Sequence, residues 1–206
     1  MKKVFILIGK IFGLVFTNQV IEKLCFARTF FFTGILSRSF NVFGHNSTVD
    51  RPLQLVKPWC VSVGNNTHIL KGARITALNN NSIICIGSNV EIGYNCHITC
   101  LENITIGDGC LMGANVLVSD NSHGQLIEEQ LSFQPSKRPL YSKGCIKIEE
   151  NVWIGENVSI LGGVTIGNGA IIGANSVVTH DVPPFSLAAG APAKIIKTPK
   201  KGSDKE

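Results

Sequence analysis

Between Cys145 and Val182 the apolar positions recur with a period of six: Ile148, Ile154, Ile160, Ile166, Ile172 and Val178. Glycine follows at once at Gly155, Gly167 and Gly173. Four positions after each of the first five stands a small or β-branched residue: Val152, Val158, Val164, Ala170 and Ser176. A helix repeats every 3.6 residues and a half-buried strand every two, so neither produces this pattern. A fixed six-residue repeat is the signature of a β-solenoid. Each hexad supplies a short strand with its aliphatic residue inward, then a turn rich in Gly and Asn, which tolerate φ > 0 at little cost. Three hexads predict one triangular coil. Stacked coils hydrogen-bond edge to edge and bury ladders of Ile and Val that no single coil could bury alone.

The same phase is found upstream at Val63, Ile69 and Ile75, slips between Ala77 and Cys85, and returns at Ile86, Ile92 and Ile98. A further two-residue slip precedes Ile106, Met112 and Val118. Slips of this kind predict extra residues bulging at a corner of the coil. From Asp120 to Cys145 the repeat is interrupted, and Pro135, Pro139 and the polar run between them predict an excursion loop over 121–144. Beyond Val182, Pro183 and Pro184 stop the ladder, and residues 191–197 are expected to return along the last coil as a cap. The solenoid domain is thus 41–197, followed by a charged tail over 198–206.

Residues 1–40 lack the sixfold phase and are rich in Phe, Ile and Leu. Their longest uncharged run, Ile11 to Ile21, is well short of the ~20 residues of a spanning helix. Lys10 breaks the apolar core of any signal peptide. The pattern predicts two amphipathic helices, over 2–16 and 18–33. Two readings fit them. They lie on an anionic membrane surface, with Lys anchoring and Phe and Leu inserting, or they pack against the solenoid or a neighbouring subunit.

Composition sharpens this only in places. A net charge of +5 over 206 residues carries no general nucleic-acid footprint. The basic residues are uneven, however: Lys2, Lys3, Lys10, Lys23, Arg28 and Arg38 face only Glu22 in the first forty, and Lys194, Lys197, Lys200, Lys201 and Lys205 crowd the end. Seven cysteines without a CxxC pair, several in small-residue slots of the repeat, read as reduced residues of a cytoplasmic protein. The membrane reading of residues 1–40 would hold that protein at the inner face of the membrane.

An Ile–Gly solenoid is chemically inert, so the chemistry must come from its departures. Of the five histidines (His45, His68, His97, His123, His180), His123 stands where the repeat block ends and the long loop begins. An imidazole there suits general-base work at cellular pH. No HxxxH or HxxxxH spacing sets two imidazoles on one metal, so no metal is expected.

The repeats, the SDNSHG segment (119–124), the VWIG and GANSVVT segments of the regular stretch and the closing AAGAPAKIIK resemble the left-handed β-helix, hexapeptide-repeat acyltransferases. Within them the chain is most similar to sugar O-acetyltransferases related to the maltose and galactoside enzymes, and to capsule and lipopolysaccharide O-acetyltransferases. The resemblance covers roughly residues 61–197. It implies an all-β, left-handed parallel β-helix, a homotrimer with active sites between subunits, acetyl-CoA as co-substrate, and a sugar or glycan acceptor. It assigns the general base to His123, which would let the sugar hydroxyl attack the thioester directly, with no acyl-enzyme. Trp153 of VWIG and Ala174 and Thr179 of the GANSVVT segment would meet the pantetheine arm, and Lys194 and Lys197 the CoA phosphates. The family often has arginine at the last two places, and lysine meets phosphate as a point charge rather than a fork. Glu102, Asp120 and Tyr141 are candidates for the acceptor side. N-acetylation of an amino nucleotide sugar, and a non-catalytic trimeric scaffold, are the rival functions.

Overall fold

The computed structural model describes residues 2–15 and 17–199. Its body is a parallel β-helix in which each coil gives one short strand to each of three sheets. The first sheet stacks Val42–Phe43, Val61–Val63, Ile83–Ile86, Asn103–Ile106, Ile146–Ile148 and Thr165–Ile166. The second stacks Thr48–Val49, His68–Ile69, Glu91–Ile92, Leu111–Met112, Trp153–Ile154 and Ile171–Ile172. The third stacks Gln54–Val56, Arg74–Ala77, His97–Cys100, Leu117–Ser119, Ser159–Leu161 and Val177–Val178. Val182 and Leu187–Gly190 begin a further coil.

The inward residues are those the sixfold phase selects. Ile69, Ile92, Met112, Ile154 and Ile172 form one fully buried ladder, and Val118, Ile160 and Val178 part of another. Each such side chain touches its equivalents above and below, so truncating Ile to Ala would cost on the order of 2–5 kcal/mol. Phe43, Val49 and Leu55 show that the phase starts one coil earlier than Val63.

Register explains the slips. In the C-terminal coils Trp153 pairs with Ile171 and Ile160 with Val178, eighteen residues on, which is three hexads. Lower in the helix His68 pairs with Glu91, and across the excursion Leu111 pairs with Trp153. The surplus residues fall at one corner, between the third sheet and the first: 57–60, 78–82, 101–102 and 120–145. The other two corners stay tight and uniform.

Those tight corners divide the work between Asn and Gly. Asn takes the left-handed conformation at Asn95, Asn115, Asn157 and Asn175 (φ +57 to +60). The four amides donate in series, Asn95 to Asn115 at 3.3 Å, Asn115 to Asn157 at 3.1 Å and Asn157 to Asn175 at 3.3 Å. The glycine after the inward residue serves a different need. A Cβ on Gly155 would lie 2.6 Å from the Ala174 nitrogen, so the coils could not close to hydrogen-bonding distance.

Two helices precede the solenoid, α1 (Lys2–Val15) and α2 (Asn18–Ser37), the second four residues longer than the sequence pattern predicts. Thr17 caps α2, its Oγ1 accepting from the Val20 N–H. The C-terminal half of α2 packs on the first coil. Buried Thr33 accepts from the Val49 N–H at 2.9 Å, Thr29 donates to Asp50 at 2.5 Å, and the Arg51 guanidinium lies over the Phe32 ring. Residues 121–144 are more ordered than a plain loop. Asn121–His123 and Leu140–Ser142 pair antiparallel, and a short helix α3 (Glu128–Leu131) lies between them. At the far end Ala193–Lys197 folds back antiparallel on Leu187–Gly190 and closes the second sheet. Of the expected charged tail, residues 200–206 lie outside the described residues.

Candidate active site

His123 ends the first strand of the excursion hairpin, opposite Leu140, and its side chain is exposed. The hairpin is braced from within. Ser122 Oγ donates to the Gly124 carbonyl at 3.1 Å, and Arg138 donates to the carbonyls of Phe133 and Leu131 at 3.0 and 3.1 Å. A cleft of about 300 Å³ at the root of this hairpin is lined by Ser119, Asp120, Asn121, Ser122, Tyr141, Lys143 and Thr179, among others, and His123 stands just beyond it. Gly162 also lines it, and a Cβ there would sit 3.1 Å from the Asp120 carbonyl, so glycine lets the next coil pass under the loop root.

Asp120, a candidate for the acceptor side, lines the cleft beside Asn121. It is 1% exposed, and its carboxylate accepts from the backbone N–H groups of Leu101 at 2.6 Å and Glu102 at 2.8 Å. Cys100 Sγ and Asn121 Nδ2 also reach it. With its oxygens engaged by the neighbouring corner, it pins the loop root at the floor of the cleft. Glu102 is exposed, and its Oε2 accepts from Cys145 Sγ at 3.9 Å; it does not line the cleft. Tyr141 does line it.

A second concavity, of about 660 Å³, runs along the outer face of the second sheet. Leu111, Trp153 and Ile171 stack in register on that face, Tyr94 and Glu156 flank them, and Ala174 and Leu187 close the upper end. Trp153 is 53% exposed. Lys194 pairs with Ala189 and Lys197 with Leu187, so both ammonium-bearing side chains stand at the hairpin that ends this groove. The structure thus places Trp153 and Ala174 in this groove, Lys194 and Lys197 on the strand paired with Leu187–Gly190 beyond its end, and Thr179 in the cleft with Tyr141. Leu111 and Ile171 were missed in the sequence, although each directly precedes an inward residue as Trp153 precedes Ile154.

A triangular coil sets the two concavities apart. The excursion leaves the corner between the third and first sheets, and that corner is opposite the second sheet's outer face. Among the described residues no cluster of three or more His, Cys, Asp or Glu could hold a metal ion.

Comparison with known proteins follows the same geometry. The bacterial transferase hexapeptide (six repeats) profile matches residues 145–180, and the profile of the hexapeptide repeat of succinyl-transferase matches 83–120. The galactoside O-acetyltransferase of Escherichia coli K12 is 35% identical over 153 residues, covering 74% of this chain and 71% of that protein. The chain belongs to the hexapeptide-repeat acyltransferases. WbbJ of the same organism, named for lipopolysaccharide biosynthesis O-acetyl transfer, is 34% identical over 160 residues, 76% of this chain and 81% of its own length. Among solved structures, a hexapeptide-repeat acetyltransferase of Vibrio cholerae complexed with acetyl coenzyme A is 28% identical with a TM-score of 0.56, covering 82% of this chain and 76% of that one. The Bacillus cereus N-acyltransferase AntD shares the fold (TM-score 0.71, 21% identical, 82% of this chain and 88% of that one). The expected left-handed parallel β-helix of an acyltransferase is therefore the fold of this family member.

Proposed function

We propose that this acyltransferase moves an acetyl group from acetyl-CoA to a sugar hydroxyl of a surface polysaccharide or its precursor. The observation that carries the reading is His123, exposed on a braced hairpin whose root residues Asp120, Asn121 and Ser122 line a cleft, in a chain related to sugar O-acetyltransferases. His123 takes the proton from the acceptor hydroxyl as the oxygen attacks the thioester carbonyl. The tetrahedral oxyanion is steadied by a backbone N–H, an interaction worth on the order of 3 kcal/mol in comparable sites. Its collapse breaks the C–S bond, and the imidazolium returns the proton to the departing CoA sulfur. No cysteine need carry the acetyl group.

The groove over Leu111, Trp153 and Ile171 suits the pantetheine arm, being apolar along its length, with Ala174 leaving room at its upper end. Lys194 and Lys197 supply the positive charge for the phosphates. Because this groove and His123 lie on opposite sides of one chain, the reading requires a neighbouring subunit to bring them together, and a homotrimer does so with three equivalent sites. Thr179 and Tyr141 then belong with the acceptor, and Asp120 acts as a positioning residue beneath the loop. The helices of residues 1–40 would hold the enzyme against the inner face of the membrane, near a lipid-linked acceptor.

The test is thiol release from acetyl-CoA with candidate glycans. His123→Ala is expected to lower turnover by about 10²–10⁴-fold, the range of a lost general base. Undiminished turnover would remove His123 from the role. The product decides the acceptor: a base-labile ester marks a hydroxyl, and a base-stable amide marks an amino sugar.

A further inference from the structure

The corner that carries the excursion loop holds another concavity three coils lower. Asn41, Trp59, Ser62, Asn80, Asn81 and Cys85 are among the residues lining this depression of about 500 Å³. Trp59 is 58% exposed, yet it is not on a loose loop. It sits in a single 3₁₀ turn, Pro58–Cys60, closed by the Cys60 N–H donating to the Lys57 carbonyl at 2.9 Å. Lys57 Nζ donates to the Leu78 carbonyl at 2.8 Å, and Cys60 Sγ reaches the carbonyls of Asn79 and Asn80. The indole is therefore held out on a turn tied to the next coil.

Its surroundings are uncharged and mixed, with the exposed side chain of Ile83 beside asparagines and serines. Asn41 Nδ2 donates to Ser62 Oγ at 3.0 Å, and Asn79 Nδ2 to the Leu101 carbonyl at 3.0 Å. The side-chain amides of exposed Asn80 and Asn81 make no hydrogen bond to protein groups among the described residues, so both are accessible to a ligand in the depression. No lining residue is charged, which disfavours phosphate, nucleic acid or CoA. The amides and hydroxyls disfavour an apolar segment or a lipid tail, since each would be left unpaired. What remains is a ligand with an apolar face and a polar rim. A pyranose ring has both: its axial C–H groups stack on an indole, and its equatorial hydroxyls both donate and accept.

We propose that this depression is a glycan-binding subsite for a neutral pyranose, with Trp59 as platform and Asn80 and Asn81 as hydroxyl partners. The inference rests on the reading that the acceptor is a glycan, and narrows it. Coils are spaced about 4.8 Å apart, so the Trp59 turn lies roughly 14 Å along the axis from the loop root, a few sugar units. The acceptor is then an oligomer or polymer engaged at two points, not a nucleotide sugar.

The probe is a printed array of mono- to octasaccharides built from glucose, galactose and N-acetylglucosamine, applied to the full-length protein. Wild type is expected to retain the longer chains over the monosaccharides. Trp59→Ala is expected to weaken retention roughly tenfold or more, equivalent to about 1.4 kcal/mol, with Trp59→Phe intermediate. The proposal is overturned if wild type retains no glycan, if Trp59→Ala binds as well as wild type, or if light scattering shows that Trp59→Ala changes the assembly mass, which would make Trp59 a subunit contact. Failure of the catalytic reading is seen separately, as undiminished acetyl-CoA turnover by His123→Ala.

Discussion

Single side chains set five of the seven cysteines at two extremes of exposure, with Cys60 and Cys85 between them. Cys96, Cys100 and Cys110 are buried, whereas Cys25 and Cys145 are exposed. Burial pushes the Cys96 thiol up to about 11, against which its backbone hydrogen bonds count for less. Cys100 is raised further by burial and by the charge of Asp120, and Cys110 is raised chiefly by burial. Thiolate is the reactive form, so these three are poor nucleophiles at neutral pH. Iodoacetamide at pH 8 is expected to label Cys25 and Cys145 of the native protein and to spare Cys96, Cys100 and Cys110, as peptide mass spectrometry would read. The same shifts set a sign for stability. Folded thiols titrate above the ordinary 9.0, so their contribution is whole below pH 9 and is lost as pH rises through the folded values. The melting temperature should therefore fall between pH 9 and 11, with a shallower slope in Cys96→Ser, which keeps a donor to the Gly113 carbonyl but does not titrate there. An unchanged slope would remove Cys96 from this account. At this scale the sequence was a good guide to the inward residues, because the period of six is enforced by burial. It left the role of Asp120 open, because a carboxylate beside a loop reads alike whether it faces substrate or backbone.

Elements carry the contrast between the solenoid and what precedes it. The strands were legible because every hexad repeats one local solution, inward aliphatic, close-approach glycine, left-handed Asn. The first coil was less so, since Phe43 and Leu55 are only partly buried under α2. The helices were legible as helices but not in their contacts, and the structure separates the two halves of that question. The end of α2 packs on the solenoid through Thr29 and Thr33, whereas Phe5 (71% exposed), Ile6, Leu24, Phe26 and Phe31 (67%) face outward. No helix among the described residues is long and apolar enough to cross a membrane. Exposed aromatics with Lys2, Lys3, Lys10, Lys23 and Arg28 nearby match an anionic lipid surface, each basic residue contributing about 1 kcal/mol close to it. Removing residues 1–40 outright would also strip the cover from the first coil, so charge reversal is the cleaner experiment. The full chain should co-sediment with phosphatidylglycerol vesicles at low salt, and Lys2→Glu, Lys3→Glu, Lys10→Glu and Lys23→Glu combined should lose most of that binding. Equal binding by the variant would count against a lipid surface and for a protein neighbour.

The whole molecule raises a question that one chain does not answer alone. A triangular prism has no way to bring a corner to its opposite face, so His123 and the Trp153 groove stay apart in each subunit. No sequence motif could reveal this, because His123 and Trp153 are only thirty residues apart and the separation comes from which corner takes the insertion. A closed ring of three identical chains solves the geometry if each excursion loop reaches the groove of the next chain. That arrangement makes a quantitative prediction. Subunits with His123→Ala and subunits with Trp153→Ala, each inactive alone, are co-expressed in equal amounts and assemble at random. Three quarters of such trimers are mixed, and by ring symmetry each mixed trimer holds one site of three with both residues intact. Activity should return to about a quarter of wild type. Sites built within single subunits would give no recovery at all, since no chain then carries both residues. The mixture therefore separates a shared site from a self-contained one without any knowledge of the acceptor's identity beyond a glycan that supports turnover.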